Sequence, residues 1–317
     1  MVTISTTYSE LDKLKYNNSI ITIGSFDGLH LGHQKVFEKM SDLSSNNNKK
    51  ILITFDPHPF TVLNKRQNEK YYLLESTNDK VEILNSFKNS LIDIVIIIKF
   101  DKELSHISAA DFFTKILKCF NPIDVVMGHD NGFGHKREGN INFLKDRYND
   151  KGFKLHTVSP EKNNIQETIS STLIRKLIKN GKIDKANNML GRLYSVKGHV
   201  VTGEGLGKTI NFPTINISLL NELQIVPFSG VYFVHLEIDS NKYTGMCNIG
   251  FRPTITNNKE ETIEIHIFRV KTDKDFYGKE VKVFFVEYIR EEKKFKNIDF
   301  LAKQLEKDKN YCLSIKV

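Results

Sequence analysis

Hydrophobic residues follow two different rhythms along this chain, and the change comes near Leu193. Before it, short apolar and β-branched runs alternate with stretches of helical spacing. Ile20–Ile23, Ile51–Phe55, Ile94–Ile98 and Val125–Met127 read as buried strands, and Gln34–Met40 carries its apolar residues on one helical face. Ser76 and Ser108 each stand three residues before an Asp, a helix start that resembles a capping box. Gly181 closes one late helix, and Ile183–Leu190 forms another. Strand and helix in alternation predict an α/β unit, a parallel sheet with helices on both faces, whose ligands bind beyond the carboxyl ends of the strands. After Leu193 the period drops to two. Val231–Ile238, Lys242–Ile249, Thr262–Phe268 and Val281–Ile289 read as strands and Ile298–Lys309 as a closing helix, which predicts a small antiparallel β-barrel. Two domains of different class are expected, over 1–186 and 187–317, with no low-complexity linker or internal repeat.

The densest chemistry in the first half is Gly24-Ser25-Phe26-Asp27-Gly28-Leu29-His30-Leu31-Gly32-His33, between the strand at 20–23 and the helix at 34–40. Glycines let the backbone approach a ligand closely, and the amides that open a helix form a natural phosphate site. His30 and His33, three apart across that start, can both face the bound phosphates. In Asp56-Pro57-His58-Pro59-Phe60 two prolines stiffen the chain around His58, which composition alone reads as a rigid surface turn. Ser170-Ser171-Thr172 followed by Arg175 caps a helix in its plainest reading, and also concentrates hydroxyls, amides and a guanidinium suited to an anion.

In the second half, Gly203-Glu204-Gly205-Leu206-Gly207-Lys208-Thr209 superficially resembles a P-loop. The spacing fails and no helix is expected after it, so that label is refused. In Thr262–Phe268 the isoleucines take one strand face, and Glu264 and His266 share the other. An exposed strand face explains that alternation without any function.

The stretch Gly-x-Phe-Asp-Gly-x-His-x-Gly-His resembles the signature of the bacterial bifunctional riboflavin kinase/FAD synthetase family, within the nucleotidyltransferase superfamily. Further segments agree: Phe-Asp-Pro-His-Pro around His58; Gly128, Asp130, Phe133, Gly134, Arg137 and Gly139 in the loop after the fourth strand; Ser170-Ser171-Thr172 with Arg175; Phe212-Pro213-Thr214 with Asn216; and Glu264-x-His266. Gly230-Val231-Tyr232, Asn248-Ile249-Gly250, Tyr277-Gly278 and Ile289-Arg290 match as well. The resemblance covers nearly the whole chain. It implies a Rossmann-like FMN adenylyltransferase domain and a riboflavin kinase barrel, with riboflavin, FMN, FAD and ATP as substrates or products and Mg2+ as cofactor. It assigns the transferring phosphate to His30 and His33, site geometry to Asp27, and nucleotide and phosphate binding to Gly24, Phe26, Gly28, Gly32, His58, Asp130, Arg137, Ser170, Ser171, Thr172 and Arg175. In the barrel it makes Glu264 the general base, places Mg2+ on Thr214 and Asn216, and assigns ATP and flavin to Gly203, Gly205, Gly207, Pro213, Asn248, Tyr277 and Arg290. Five positions depart from the family pattern: Asn131 replaces an aromatic, Asn211 a glycine, Ile215 an alanine, and Arg269-Val270 an Asp-Phe pair after the Glu-x-His strand. Alternatives are a chain with one of the two activities, a flavin- or nucleotide-binding protein without turnover, and a basic RNA-associated protein.

Composition changes this picture little. A net charge of +8 suggests nucleic acid, but the lysines are interleaved with acids along the whole chain, so a diffuse field that attracts polyphosphates is the preferred reading and no nucleic-acid partner is expected. No apolar run approaches a membrane span and residues 1–15 are too polar for a signal peptide, which makes a cytoplasmic protein the expectation. Cys119, Cys247 and Cys312 are odd in number and far apart, so neither a disulfide framework nor a zinc site is expected. The sequence sets no oligomeric state.

Overall fold

The computed structural model describes residues 1–45, 47–63, 72–88, 91–148, 152–203, 206–253, 259–270 and 275–315. By packing, the chain divides into Met1–Ser171 and Thr172–Val317. In the first unit the strands are β1 (Val2–Thr6), β2 (Ser19–Ile23), β3 (Lys50–Asp56), β4 (Ile94–Lys99), β5 (Pro122–Gly128) and β6 (Lys154–Val158). They form one sheet in the order β1-β4-β3-β2-β5-β6, parallel throughout. The chain builds outward from β2 in one direction and then returns to add β5 and β6 on the other side. The gap beyond the carboxyl ends of β2 and β5 is therefore the switch point at which such sheets bind ligands.

Helices α1 (Leu31–Leu43), α2 (Pro59–Leu63), α3 (Thr77–Ser86), α4 (Lys102–Ser105), α5 (Ala109–Phe120) and α6 (Ile141–Tyr148) connect these strands. Both sheet faces are buried, which is why the inner strands read as continuous apolar runs. Ile21, Ile51, Ile53, Ile96 and Val125 pack on Phe112, Phe113 and Ile116 of α5. Ile20, Leu52, Val95 and Val126 face the other way, onto Val36, Phe37 and Met40 of α1. The capping box at Ser76 is complete, with Asp79 returning the bond, whereas Ser108 caps α5 by accepting the Asp111 N–H. The edge strands β1 and β6 carry half-exposed polar positions and so gave no apolar run to read.

The second unit opens with most of α7 (Ser171–Lys179) and α8 (Ile183–Leu190). Strands β7 (Tyr194–Val201), β8 (Ile215–Leu219), β9 (Gly230–Ile238), β10 (Asn241–Pro253), β11 (Lys259–Ile267) and β12 (Glu280–Arg290) close a barrel in the order β10-β11-β8-β7-β12-β9, antiparallel throughout. Two of its strands, β7 and β8, were not resolved individually in the sequence pattern. Asn187 of α8 stitches that helix to the barrel, donating to the Phe285 carbonyl at 2.9 Å and accepting the Tyr194 N–H at 2.7 Å. The glycine loop holds one short helical turn, α9 (Leu206–Thr209), where no helix was expected; the chain then enters strand β8, whereas a P-loop opens a long helix. The closing helix, α10 (Ile298–Ser314), runs five residues further than its sequence pattern indicated. Among the described residues no helix is long and apolar enough to cross a membrane.

Candidate active sites

The glycine turn lies at the carboxyl end of β2, where the strand order reverses. Phe26 (φ 47°), Gly28 (φ 89°) and Leu29 (φ 39°) all take the left-handed region, which folds the chain sharply from strand into helix. Gly24 donates its N–H to the Ile53 carbonyl at 3.0 Å. A side chain at Gly28 would meet Leu74 as well as strained backbone. His30 caps α1: its Nδ1 accepts the His33 N–H at 3.3 Å, and the two imidazoles stack with centroids 3.6 Å apart. Phe26 braces His33 edge-on at 5.1 Å, and a Cβ at Gly32 would lie 3.2 Å from the His30 ring. No acidic residue occupies the first turn of α1, so the positive end of the helix is not masked.

Asp27 is buried at 3% exposure. Its carboxylate accepts the Leu74 N–H at 3.1 and 3.3 Å, and its carbonyl accepts the Ser171 hydroxyl at 2.8 Å. These bonds tie the turn to the segment before α3 and to the start of α7. His58 is buried and held by its own turn, with Nδ1 accepting the Phe60 N–H at 3.2 Å and its carbonyl accepting the Thr61 hydroxyl at 2.7 Å. Ser170 is half-buried, Thr172 exposed and Arg175 half-buried; packing assigns the last two to the second unit.

The loop after β5 forms the other side of the switch point. Asn131 donates from Nδ2 to the Ile23 carbonyl at 3.2 Å. The residue that departs from the family aromatic thus ties the β5 loop to the end of β2. Arg137 donates to the Asp130 carbonyl at 2.8 Å, and Phe133 is buried against Phe112 and Phe113. Gly134 sits flush on Ala109 with φ 74°, and Glu138 accepts the Ala109 N–H at 2.8 Å. A cavity of about 410 Å³ opens here, lined by His129, Asp130, Asn131, Arg137, Asn140 and Ile141 among others.

In the barrel, Glu264 of β11 pairs with Asn216 of β8 on one side and Asn248 of β10 on the other. One carboxylate and two amides therefore share a rung of three neighbouring strands. Thr214, Asn248, Glu264 and His266 line a cavity of about 290 Å³, whose remaining lining is charged at Arg290, Glu292 and Lys293 and otherwise has apolar walls. Phe212, Met246 and Phe295, with Leu301 and Leu305 of α10, supply those walls. A Cβ at Gly203 would overlap the Asn216 amide, and one at Gly207 would overlap the Phe212 carbonyl. Asn211 takes φ 61°, a conformation Asn accepts more readily than other non-glycine residues, so the loop keeps its course without the family glycine. Ile215 pairs with Ile265, on the opposite strand face from Asn216 and Glu264. His266 places Nδ1 2.9 Å from the Pro213 carbonyl, and burial pulls its pKa below the ordinary histidine value. A carbonyl only accepts, so the proton of the neutral ring is on Nδ1.

Of the residues assigned to ATP or flavin, Gly207, Asn248 and Arg290 line the cavity, whereas Gly203, Pro213 and Tyr277 are not part of its lining. Arg290 lines the cavity, but its guanidinium is bound to Asp308 by three hydrogen bonds of 2.7 to 3.1 Å and to the Glu291 carbonyl at 2.8 Å. Its donors fix β12 to α10. Tyr277 is half exposed and is not part of the cavity lining; its N–H is held by Asp275. Gly205 lies outside the described residues. The apolar walls on α10 escaped the sequence reading, although Leu301 and Leu305 have helical i, i+4 spacing. Nothing local to Asp308 signals its partner eighteen residues away.

Residues 12–173 match the FAD synthetase family and residues 190–316 match the riboflavin kinase family. A bifunctional riboflavin kinase/FMN adenylyltransferase of Buchnera aphidicola subsp. Schizaphis graminum is 36% identical over 298 residues, 92% of each chain. This chain belongs to the bifunctional riboflavin kinase/FMN adenylyltransferase family. The Bacillus subtilis member is 34% identical over 99% of this chain and 98% of its own, so the relationship spans both units. Among solved structures, a Streptococcus pneumoniae chain described as a macrolide-efflux protein aligns over the full length of both chains, with a TM-score of 0.87 and 27% identity. The site geometry follows the division between the two family matches: the stacked histidines fall in the first, and the Asn216, Glu264 and Asn248 rung in the second.

Proposed function

We infer that this chain makes FAD in two steps, phosphorylating riboflavin with ATP in the barrel and adenylylating the resulting FMN with a second ATP in the first domain. We assign the adenylyltransferase to 1–186 and the kinase to 187–317. What supports this reading is that each half matches its own enzyme family, FAD synthetase over 12–173 and riboflavin kinase over 190–316, on a fold of its own. The departures at Asn131 and Asn211 each have a local structural accommodation, which favours two working sites over one.

In the kinase step Glu264 takes the proton from the riboflavin 5′-hydroxyl. The oxygen attacks the γ-phosphorus of ATP, the bond to the β-phosphate oxygen breaks, and FMN and ADP result. Asn216 and Asn248, beside Glu264 on the same rung, orient the carboxylate and the phosphates, while the apolar walls receive the flavin ring. Thr214 and Asn216 present oxygen donors two residues apart along an extended segment. Such hard donors fit Mg2+, which keeps several waters and shares phosphate oxygens rather than needing an all-protein cage. Bound there, the ion would supply charge neutralisation to the phosphates.

In the second step an FMN phosphate oxygen attacks the α-phosphorus of ATP and pyrophosphate leaves. His30 and His33 hold the transferring phosphate, and we assign Ser170, Ser171, Thr172 and Arg175 to the phosphates. Such catalysis is mainly positioning and charge stabilisation. We place both reactions in the cytoplasm and assign no nucleic-acid partner. The test is direct: purified protein with Mg2+ and ATP should convert riboflavin to FMN with ADP, and FMN to FAD with pyrophosphate. Failure of either conversion removes that half of the reading.

A further inference from the structure

Lys80 lies on α3 with only 5% of its surface exposed and has no part in the chemistry above. Burying an ammonium costs several kcal/mol unless charges and acceptors compensate. Its Nζ donates to the Ser25 carbonyl, inside the glycine turn, at 2.5 Å. Thr54 of β3 donates to the same oxygen at 3.2 Å. Both acceptor positions of that carbonyl are thus used by the scaffold. Three carboxylates act on the ammonium: Glu75 from the segment before α3, Asp27 from the turn and Asp56 from the end of β3. Burial outweighs their pull and holds the Lys80 pKa below the ordinary lysine range. The Ser25–Phe26 peptide is not among the cis bonds of the described chain. In a trans peptide N–H and C=O point in opposite directions, so the Phe26 N–H points away from Lys80 and Thr54. That N–H has no hydrogen-bond partner among the described residues, although Phe26 is 2% exposed.

We propose that Lys80 is a positioning residue for adenylyl transfer: it pins the Ser25 carbonyl to the scaffold and offsets the Asp27 and Glu75 carboxylates, so that the turn meets a polyphosphate with its N–H side. This rests on the reading of the turn as a phosphate site. Without the ammonium, two buried carboxylates would lie beneath the place where an anion must bind, and the carbonyl would be free to rotate toward it.

The test uses the full chain, with FMN adenylylation at varied ATP, inorganic pyrophosphate as product inhibitor, and riboflavin phosphorylation in the same preparation as the report on folding. Lys80→Met should lower kcat/KM for ATP and weaken pyrophosphate inhibition by about tenfold to a hundredfold, the size of one lost charge-assisted hydrogen bond, and leave riboflavin phosphorylation unchanged. Adding Glu75→Gln should restore part of the loss, which a packing role for Lys80 would not allow. Thr54→Val keeps the charge and should cost less, about threefold to tenfold, as a neutral hydrogen bond does; it carries the test if Lys80→Met does not fold. The proposal is overturned if these single variants stay within about twofold of wild type, or if Glu75→Gln restores nothing. Wild-type protein that makes no FAD from FMN and ATP would instead overturn the reading of the turn, and this proposal with it.

Discussion

Single atoms decide much of what the barrel can do. Gly203 has no room for a methyl group against the Asn216 amide, so Gly203→Ala pushes the side chain that stands beside Glu264. The expected outcome is a loss of riboflavin phosphorylation of at least about tenfold, since small misplacements at a positioned site are costly, with FMN adenylylation retained; a rate assay for each step checks it. Arg290 and Asp308 are 13% and 4% exposed at their side chains. Removing one partner of a buried pair leaves an uncompensated charge, so Arg290→Met should destabilise the second unit by about 3 kcal/mol, read as a lower midpoint in denaturant unfolding of that unit. His266 supplies a pH dependence. Its folded-state pKa lies below the ordinary 6.5, so in the window between the two values the unfolded chain binds the proton and the folded chain does not. The neutral ring's contribution is complete above that ordinary value and is lost as pH falls through the window to the folded-state pKa. Unfolding midpoints tracked downward from neutral pH should fall in wild type, and His266→Gln should remove that part of the slope.

At the scale of elements, all the departures from the family pattern but Ile215, which lies in β8, fall in turns or loops. Asn211 at φ 61° predicts that Asn211→Gly is tolerated, while Asn211→Val costs about 1–2 kcal/mol, the penalty of a left-handed backbone for a side chain that cannot relieve it; thermal unfolding of the two variants distinguishes them. The inner strands of the sheet were legible because both their faces are buried, and the turn from β2 into α1 was legible because glycines and histidines crowd one junction. The edge strands β1 and β6 were not, since half-exposed strands carry Thr, Ser, Lys and His where a run of isoleucines would announce them. The α10 wall was only half legible. Its apolar spacing gave a helix, but which cavity Leu301 and Leu305 face depends on the Arg290–Asp308 pair, and a contact between separate elements leaves no local pattern.

For the whole molecule, two folds of different class sit on one chain. The α/β unit places its turn at the switch point of the sheet, whereas the barrel places a carboxylate between two amides on neighbouring strands. If the two sites are separate, damage to one must leave the other working. The most direct measurement combines Glu264→Gln and His30→Ala, first singly and then as an equimolar mixture, supplied with riboflavin, ATP and Mg2+, with flavins monitored by chromatography. Glu264→Gln alone should leave riboflavin unconverted, His30→Ala alone should accumulate FMN, and the mixture should make FAD from FMN released by one protein and adenylylated by the other. A mixture that makes no FAD, or a His30→Ala protein that makes no FMN, would contradict the assignment of the two reactions to two sites.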